Sequence, residues 1–101
     1  MIENQYKGKE NAVVEKKSET KIALIGIIVE NIKSVERVNQ LLHEHAQYIV
    51  GRMGLPYREK KVHIISVVID APETVISSLS GKLGMLEGIS VKSVQAKTKN
   101  N

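Results

Sequence analysis

Three histidines, a Gly-Lys pair, six of the seven carboxylates of the central region and an arginine between glycines are the residues of this chain whose types could do chemistry. His43 and His45 are two apart in a helical stretch, so their side chains point about 200° away from each other and cannot share an ion. His63 stands in a strand-like apolar run, where a single imidazole reads as a structural or interface residue. The chain has no cysteine, which excludes disulfides, zinc ribbons, thiolate-held iron–sulfur clusters and thiol nucleophiles. No cofactor is expected, and a transition metal would need ligands from neighbouring subunits. Gly81-Lys82 has the look of a phosphate loop's end. That loop requires a glycine five residues before the second one and Ser or Thr after the lysine, where this chain has Ile76 and Leu83. Gly81 therefore reads as a close-packing position and Lys82 as a cation favoured at a helix C-terminus. Glu30, Glu36, Glu44, Asp70, Glu73 and Glu87 fall at element ends or on a solvated helix face. With no nucleophile elbow or triad spacing either, the chain reads as a protein that is not an enzyme.

The most distinctive segment is Gly51-Arg52-Met53-Gly54-Leu55-Pro56-Tyr57-Arg58. Two glycines flanking a cation allow close backbone approach, and the Arg52 guanidinium can fork onto a carboxylate or phosphate. Its partner is either a small anionic effector or an acidic residue of another subunit, and the sequence leaves both open.

One small domain must position these groups. The chain has 101 residues, 42% of them hydrophobic, too few for two cores. Its longest apolar run, residues 22–29, is far short of the roughly 20 residues that cross a bilayer, and no apolar signal segment opens the chain, so a soluble cytoplasmic protein without a membrane partner is expected. The net charge of +4 arises without any basic block. Residues 1–20 read as a polar, disordered tail, residues 21–97 as the folded domain and residues 98–101 as a polar C-terminal tail.

From Lys21 the sequence KIALIGIIVE is rich in β-branched residues and predicts a strand. Val35, Val38, Leu41, Leu42 and Ala46 then recur at helical spacing behind Ser34 as N-cap. QYIVGRM predicts a shorter strand ended by Gly54-Leu55-Pro56, followed by a hairpin-like return through Tyr57, Arg58, Glu59 and Lys60. KVHIISVVID predicts a third strand. Asp70 to Glu73 carries a capping-box pattern for a second helix bearing Val75, Ile76, Leu79 and Leu83. Gly84 suits a left-handed helix end, and Gly88 opens a last strand, ISVKSVQA. The order βαββαβ matches the ferredoxin-like split βαβ arrangement, an α+β sandwich with a four-stranded antiparallel sheet and two helices on one face. Right-handed crossovers put the first and third strands in the centre.

Those two strands do not alternate apolar with polar. Ala23, Ile25, Ile27 and Val29 oppose Ile22, Leu24 and Ile28; His63, Ile65, Val67 and Ile69 oppose Val62, Ile64, Ser66 and Val68. Whichever face the helices cover, the other keeps about six large aliphatic side chains, an exposed patch of roughly 500 Å² at the upper end for soluble monomers. Covering it is worth on the order of 10 kcal/mol per subunit before association costs are subtracted. A homodimer or higher homo-oligomer is expected, by contact of sheet on sheet or edge on edge. The alternative is that the N-terminal tail folds back over the patch. Direct nucleic-acid binding is a rival function, because such sheets stack bases on exposed aromatics. The only aromatics are Tyr6, Tyr48 and Tyr57, and none is in a central strand. Arg52, Arg58, Lys60 and Lys61 offer weak phosphate contacts at most, so nucleic acid is not an expected partner.

IGIIVEN at residues 25–31, IVGRMGLPYRE at 49–59, SGKLG at 80–84 and GISVKS at 88–93 together resemble the family of regulators of the iron-only hydrogenase system. The resemblance covers about residues 21–97. It implies a small ACT-like protein, similar in shape to ligand-sensing domains of amino-acid-metabolism enzymes and of nickel-responsive repressors, oligomeric, and associated with hydrogenase maturation. This sequence departs from that pattern by its polar N-terminal extension. It also lacks the paired histidines and cysteine of a nickel sensor, and no DNA-binding or catalytic domain accompanies it, so regulation is expected to act through a partner or through a weak surface. The resulting expectation is a non-catalytic, homo-oligomeric regulatory module that senses a small ligand or presents a docking surface to a hydrogenase-maturation partner. Its expected effector contacts are Asn31, Arg52, Tyr57 and Arg58. The alternative is a nucleic-acid-binding transcriptional regulator.

Overall fold

The computed structural model describes residues 20–97. Strand β1 (Thr20–Val29) leads through a 3₁₀ turn (Ile32–Ser34) into helix α1 (Val35–Glu44), and a second turn (Ala46–Tyr48) into β2 (Ile49–Tyr57). A third turn (Arg58–Lys60) connects to β3 (Val62–Pro72), followed by α2 (Glu73–Gly84) and β4 (Ile89–Gln95). The strands form one antiparallel sheet in the order β2-β3-β1-β4. This is the predicted ferredoxin-like α+β architecture, with the two runs richest in β-branched residues at its centre. Apart from Thr20, which pairs with Pro72 as the first residue of β1, the two predicted tails lie outside the described residues.

A strand points successive side chains to opposite faces, and β1 does so without interruption. Ala23, Ile25, Ile27 and Val29 are buried, whereas Ile22, Leu24 and Ile28 are exposed. Ile65, Val67, Ile69 and Ala71 of β3 complete the buried face. Val38, Leu41 and Leu42 of α1 and Ile76, Leu79 and Leu83 of α2 pack on it, so both helices cover the same side. On the other side the register forms rows across the sheet: Val68, Leu24 and Val94; Met53, Ser66, Gly26 and Lys92; Leu55, Ile64, Ile28 and Ser90.

Several local expectations are corrected. Ser34 does not cap α1: its hydroxyl donates to the Glu87 carbonyl, 2.8 Å away. The cap belongs to Asn31, whose Oδ1 accepts from the Lys33 amide at 2.9 Å and starts the turn before α1. Ser34 is buried beneath the loop before β4, where a tertiary acceptor outcompetes the local one. Ala46 is exposed in the turn after α1 and adds nothing to that helix's apolar face. β2 does not stop at Gly54-Leu55-Pro56 but continues to Tyr57, with Pro56 opposite His63. On an edge strand the missing proline N–H can face outward at little cost. The capping box at Asp70 is absent because β3 keeps pairing with β1 as far as Pro72, which itself occupies the N-cap position in extended geometry. Gly84 is the last residue of α2, and the glycine with left-handed backbone is Gly88, at φ 71°.

Candidate functional site

The end of the sheet where β1 runs out and β2 turns into β3 is concave. Antiparallel pairing dictates which residues meet there: His63 lies between Val29 of β1 and Pro56 of β2. The resulting cleft has a volume of ≈ 840 Å³, within the usual range for small-molecule sites. One wall is the β1–α1 corner with Glu30 and Asn31, and the other is the β2–β3 connection with Tyr57, Arg58, Lys61 and His63.

The Asn31 corner is held by the loop before β4. The Glu30 amide donates to the Gly88 carbonyl at 2.7 Å, the Ser34 hydroxyl to the Glu87 carbonyl at 2.8 Å, and the Ser34 amide to the Asn31 carbonyl at 2.8 Å. Gly88 lies so close that a Cβ built on it would come within 2.6 Å of the Asn31 Cβ and 2.9 Å of its amide nitrogen. Glycine is required there for space as well as for φ.

The opposite wall is shaped by an unusual backbone. Lys61 adopts φ 55° and ψ 44° and is the non-glycine residue with positive φ among the described residues. Its amide closes the turn by donating to the Arg58 carbonyl at 3.1 Å. Left-handed geometry costs an L-residue roughly 1–2 kcal/mol, and here it bears a lysine that lines the cleft. The Tyr57 hydroxyl donates to Glu59 Oε1 at 2.9 Å, which engages that carboxylate. Arg58 and Lys61 make no ion pair among the described residues, and Glu30 is the carboxylate on the cleft wall. Two permanent cations beside the side-chain amide of Asn31 and the imidazole of His63 are donors suited to a small anion, and they outnumber the single carboxylate, Glu30, on the cleft wall.

The structure thus brings together Asn31, Tyr57 and Arg58, three of the four expected contacts. Arg52 is elsewhere. It pairs with Val67 on the helix-covered side, and its Nη2 donates to Asn39 Oδ1 of α1 at 2.9 Å. Lys61 and His63 line the cleft as well, although the sequence offers Lys61 only as a weak phosphate contact and His63 only as a structural or interface residue. The antiparallel register could have indicated His63, because the end of β1 must meet the start of β3. Lys61 carries no such signal, since glycine or asparagine is the usual left-handed residue.

His43 is exposed on α1, and His45 Nδ1 lies 2.8 Å from the Leu41 carbonyl oxygen. Among the described residues no three His, Asp or Glu side chains gather as a metal site, and no helix is long and apolar enough to cross a membrane. No aromatic residue occupies β1 or β3, so the central strands offer no base-stacking platform.

Comparison with known proteins places both walls in a family context. The TM1266-like family model, described as "Iron-only hydrogenase system regulator, putative", matches residues 21–93. The chain belongs to this regulator family. Among solved structures, the chain is similar to the uncharacterized protein TM1266 from Thermotoga maritima, with 38% sequence identity and a TM-score of 0.75. The likeness covers 78% of this chain and 100% of that one. No curated protein matches. The regulator-family match includes every element of the cleft, from the end of β1 through the turn bearing Arg58 and Lys61 to the loop at Gly88.

Proposed function

We propose that this chain is a non-catalytic, homo-oligomeric regulatory module of the iron-only hydrogenase system that senses a small anionic ligand in the strand-end cleft. The observation that carries the reading is the pairing of Arg58 and Lys61 in that cleft without a carboxylate partner among the described residues. Cations that no carboxylate pairs, two of them against the single Glu30 on the cleft wall, gain most from a mobile anion that accepts their hydrogen bonds. The left-handed Lys61 supports the same reading, because backbone strain retained at a cleft is a mark of functional selection. In a cytoplasmic chain of this size, the ligand acts by changing the relative stability of two subunit arrangements, which a hydrogenase-maturation partner then reads.

Calorimetric titration with inorganic phosphate and with a series of small di- and tricarboxylates tests the proposal. At least one of these anions is expected to bind, and Arg58→Ala should weaken it by about tenfold or more, the worth of a charge-assisted hydrogen bond. Lys61→Gly should weaken it too while leaving the Tm unchanged or higher, because glycine relieves the left-handed strain. Absence of binding for the whole series, or an equal loss with Lys21→Ala at the opposite end of β1, would overturn the assignment.

A further inference from the structure

The sheet face turned away from the helices is covered by nothing among the described residues. Leu24 and Ile28 are 46% and 41% exposed in the most central strand, and Met53 on β2 is 63% exposed. Between the two aliphatic rows runs a shallow middle row whose central residues, Gly26 and Ser66, are small. A Cβ at Gly26 would meet only the Lys92 carbonyl oxygen, at 3.9 Å, so the space above this row is open. Charge stands at the perimeter of the face, with Asp70 towards the end of β3 and Lys92 on the edge strand β4. An apolar centre within a polar rim is the organisation of a protein interface.

We propose that a second copy of this chain packs its bare sheet face against this one, in a two-fold contact centred on the Gly26–Ser66 row. The proposal rests on the homo-oligomeric reading above and adds the surface that carries it. An exposed apolar patch of roughly 500 Å² per copy, with its polar rim, lets a pair bury more than about 1,000 Å², the size a specific interface must clear. Pairing through the edge strands β2 or β4 extends the sheet but leaves this face in water, so it does not remove the cost that drives association. Residues 1–19 offer only Met1, Ile2, Tyr6, Val13 and Val14 as apolar or aromatic cover among many charges. Tyr57 and Val62, paired at the end of β2 and β3, also line the cleft. The partner copy therefore sits at the cleft's margin, and ligand and partner are linked through shared side chains.

Sedimentation velocity of the full chain at micromolar concentration tests this. The wild type is expected to sediment as a dimer or larger. Leu24→Glu, at a site already half exposed, should keep its far-UV circular dichroism and raise the dimer dissociation constant at least a hundredfold. Since the chain contains no cysteine, Ser66→Cys supplies a single thiol, which should form a covalent pair under mild oxidation or with a short bismaleimide; Glu36→Cys on α1 should not. A dimer that survives Leu24→Glu, with no cross-link at Ser66→Cys, overturns this interface and leaves the homo-oligomeric reading intact. A monomeric wild type overturns both.

Discussion

Replacing Gly88 by alanine is expected to lower the unfolding free energy by about 3 kcal/mol or more and to deform the Asn31 corner of the cleft. Two effects add. Alanine at φ 71° occupies a conformation that L-residues rarely adopt. Its methyl group would also lie 2.6 Å from the Asn31 Cβ, much closer than real carbon atoms approach. Neither neighbour can yield easily, because the Glu30 amide and Gly88 carbonyl are bonded at 2.7 Å and the Ser34 hydroxyl anchors the adjacent Glu87 carbonyl. For a domain of this size the Tm should fall by more than about 10 °C. Urea titration followed by circular dichroism checks the magnitude. In an Asn31→Gly background, which removes the Cβ that crowds the site most closely, Gly88→Ala should cost less. That non-additivity identifies the contact as the cause. A cost under about 1 kcal/mol in the wild-type background would show that the two loops are not locked together.

The second large effect distinguishes two adjacent isoleucines. Ile27 is 1% exposed beneath the helices, and Ile28 is 41% exposed on the bare face. Ile27→Asp places an unpaired carboxylate in the core, a loss of roughly 3–5 kcal/mol or more that removes most of a small domain's stability. Ile28→Asp should retain the folded circular dichroism spectrum. It should nevertheless lose the dependence of Tm on protein concentration that the wild type shows when unfolding is linked to dissociation. Thermal scans over a hundredfold range of concentration separate the outcomes. Equal unfolding by both substitutions would mean that the second face is as buried as the first, contrary to the strand register.

The element order and the assignment of central strands were legible because they depend on properties that neighbouring residues share: β-branched density in β1 and β3, and helical spacing in α1 and α2. The two-sided apolar pattern was legible for the same reason. Element ends were not, because long-range pairing decides them. Pro56 and Pro72 look like strand terminators in isolation, yet β3 holds the first and β1 the second. Ser34 looks like a helix cap, but the acceptor that captures it is 53 residues away. Gly84 and Gly88 both follow the apolar positions of α2, and spacing alone does not say that the helix runs through the first and that the second is left-handed. The cleft was partly legible. Asn31 follows the predicted end of β1, and Tyr57 and Arg58 lie in the predicted hairpin return, whereas Arg52, grouped with that hairpin in the sequence, is held on α1 by a side-chain acceptor that the sequence does not advertise.

Native mass spectrometry of the full chain, purified without added ligand and sprayed over a range of micromolar concentrations, addresses the central claim most directly. Self-association through a two-fold sheet face predicts an even number of chains as the dominant species, with its population falling on Leu24→Glu. Single chains at every concentration would contradict the account.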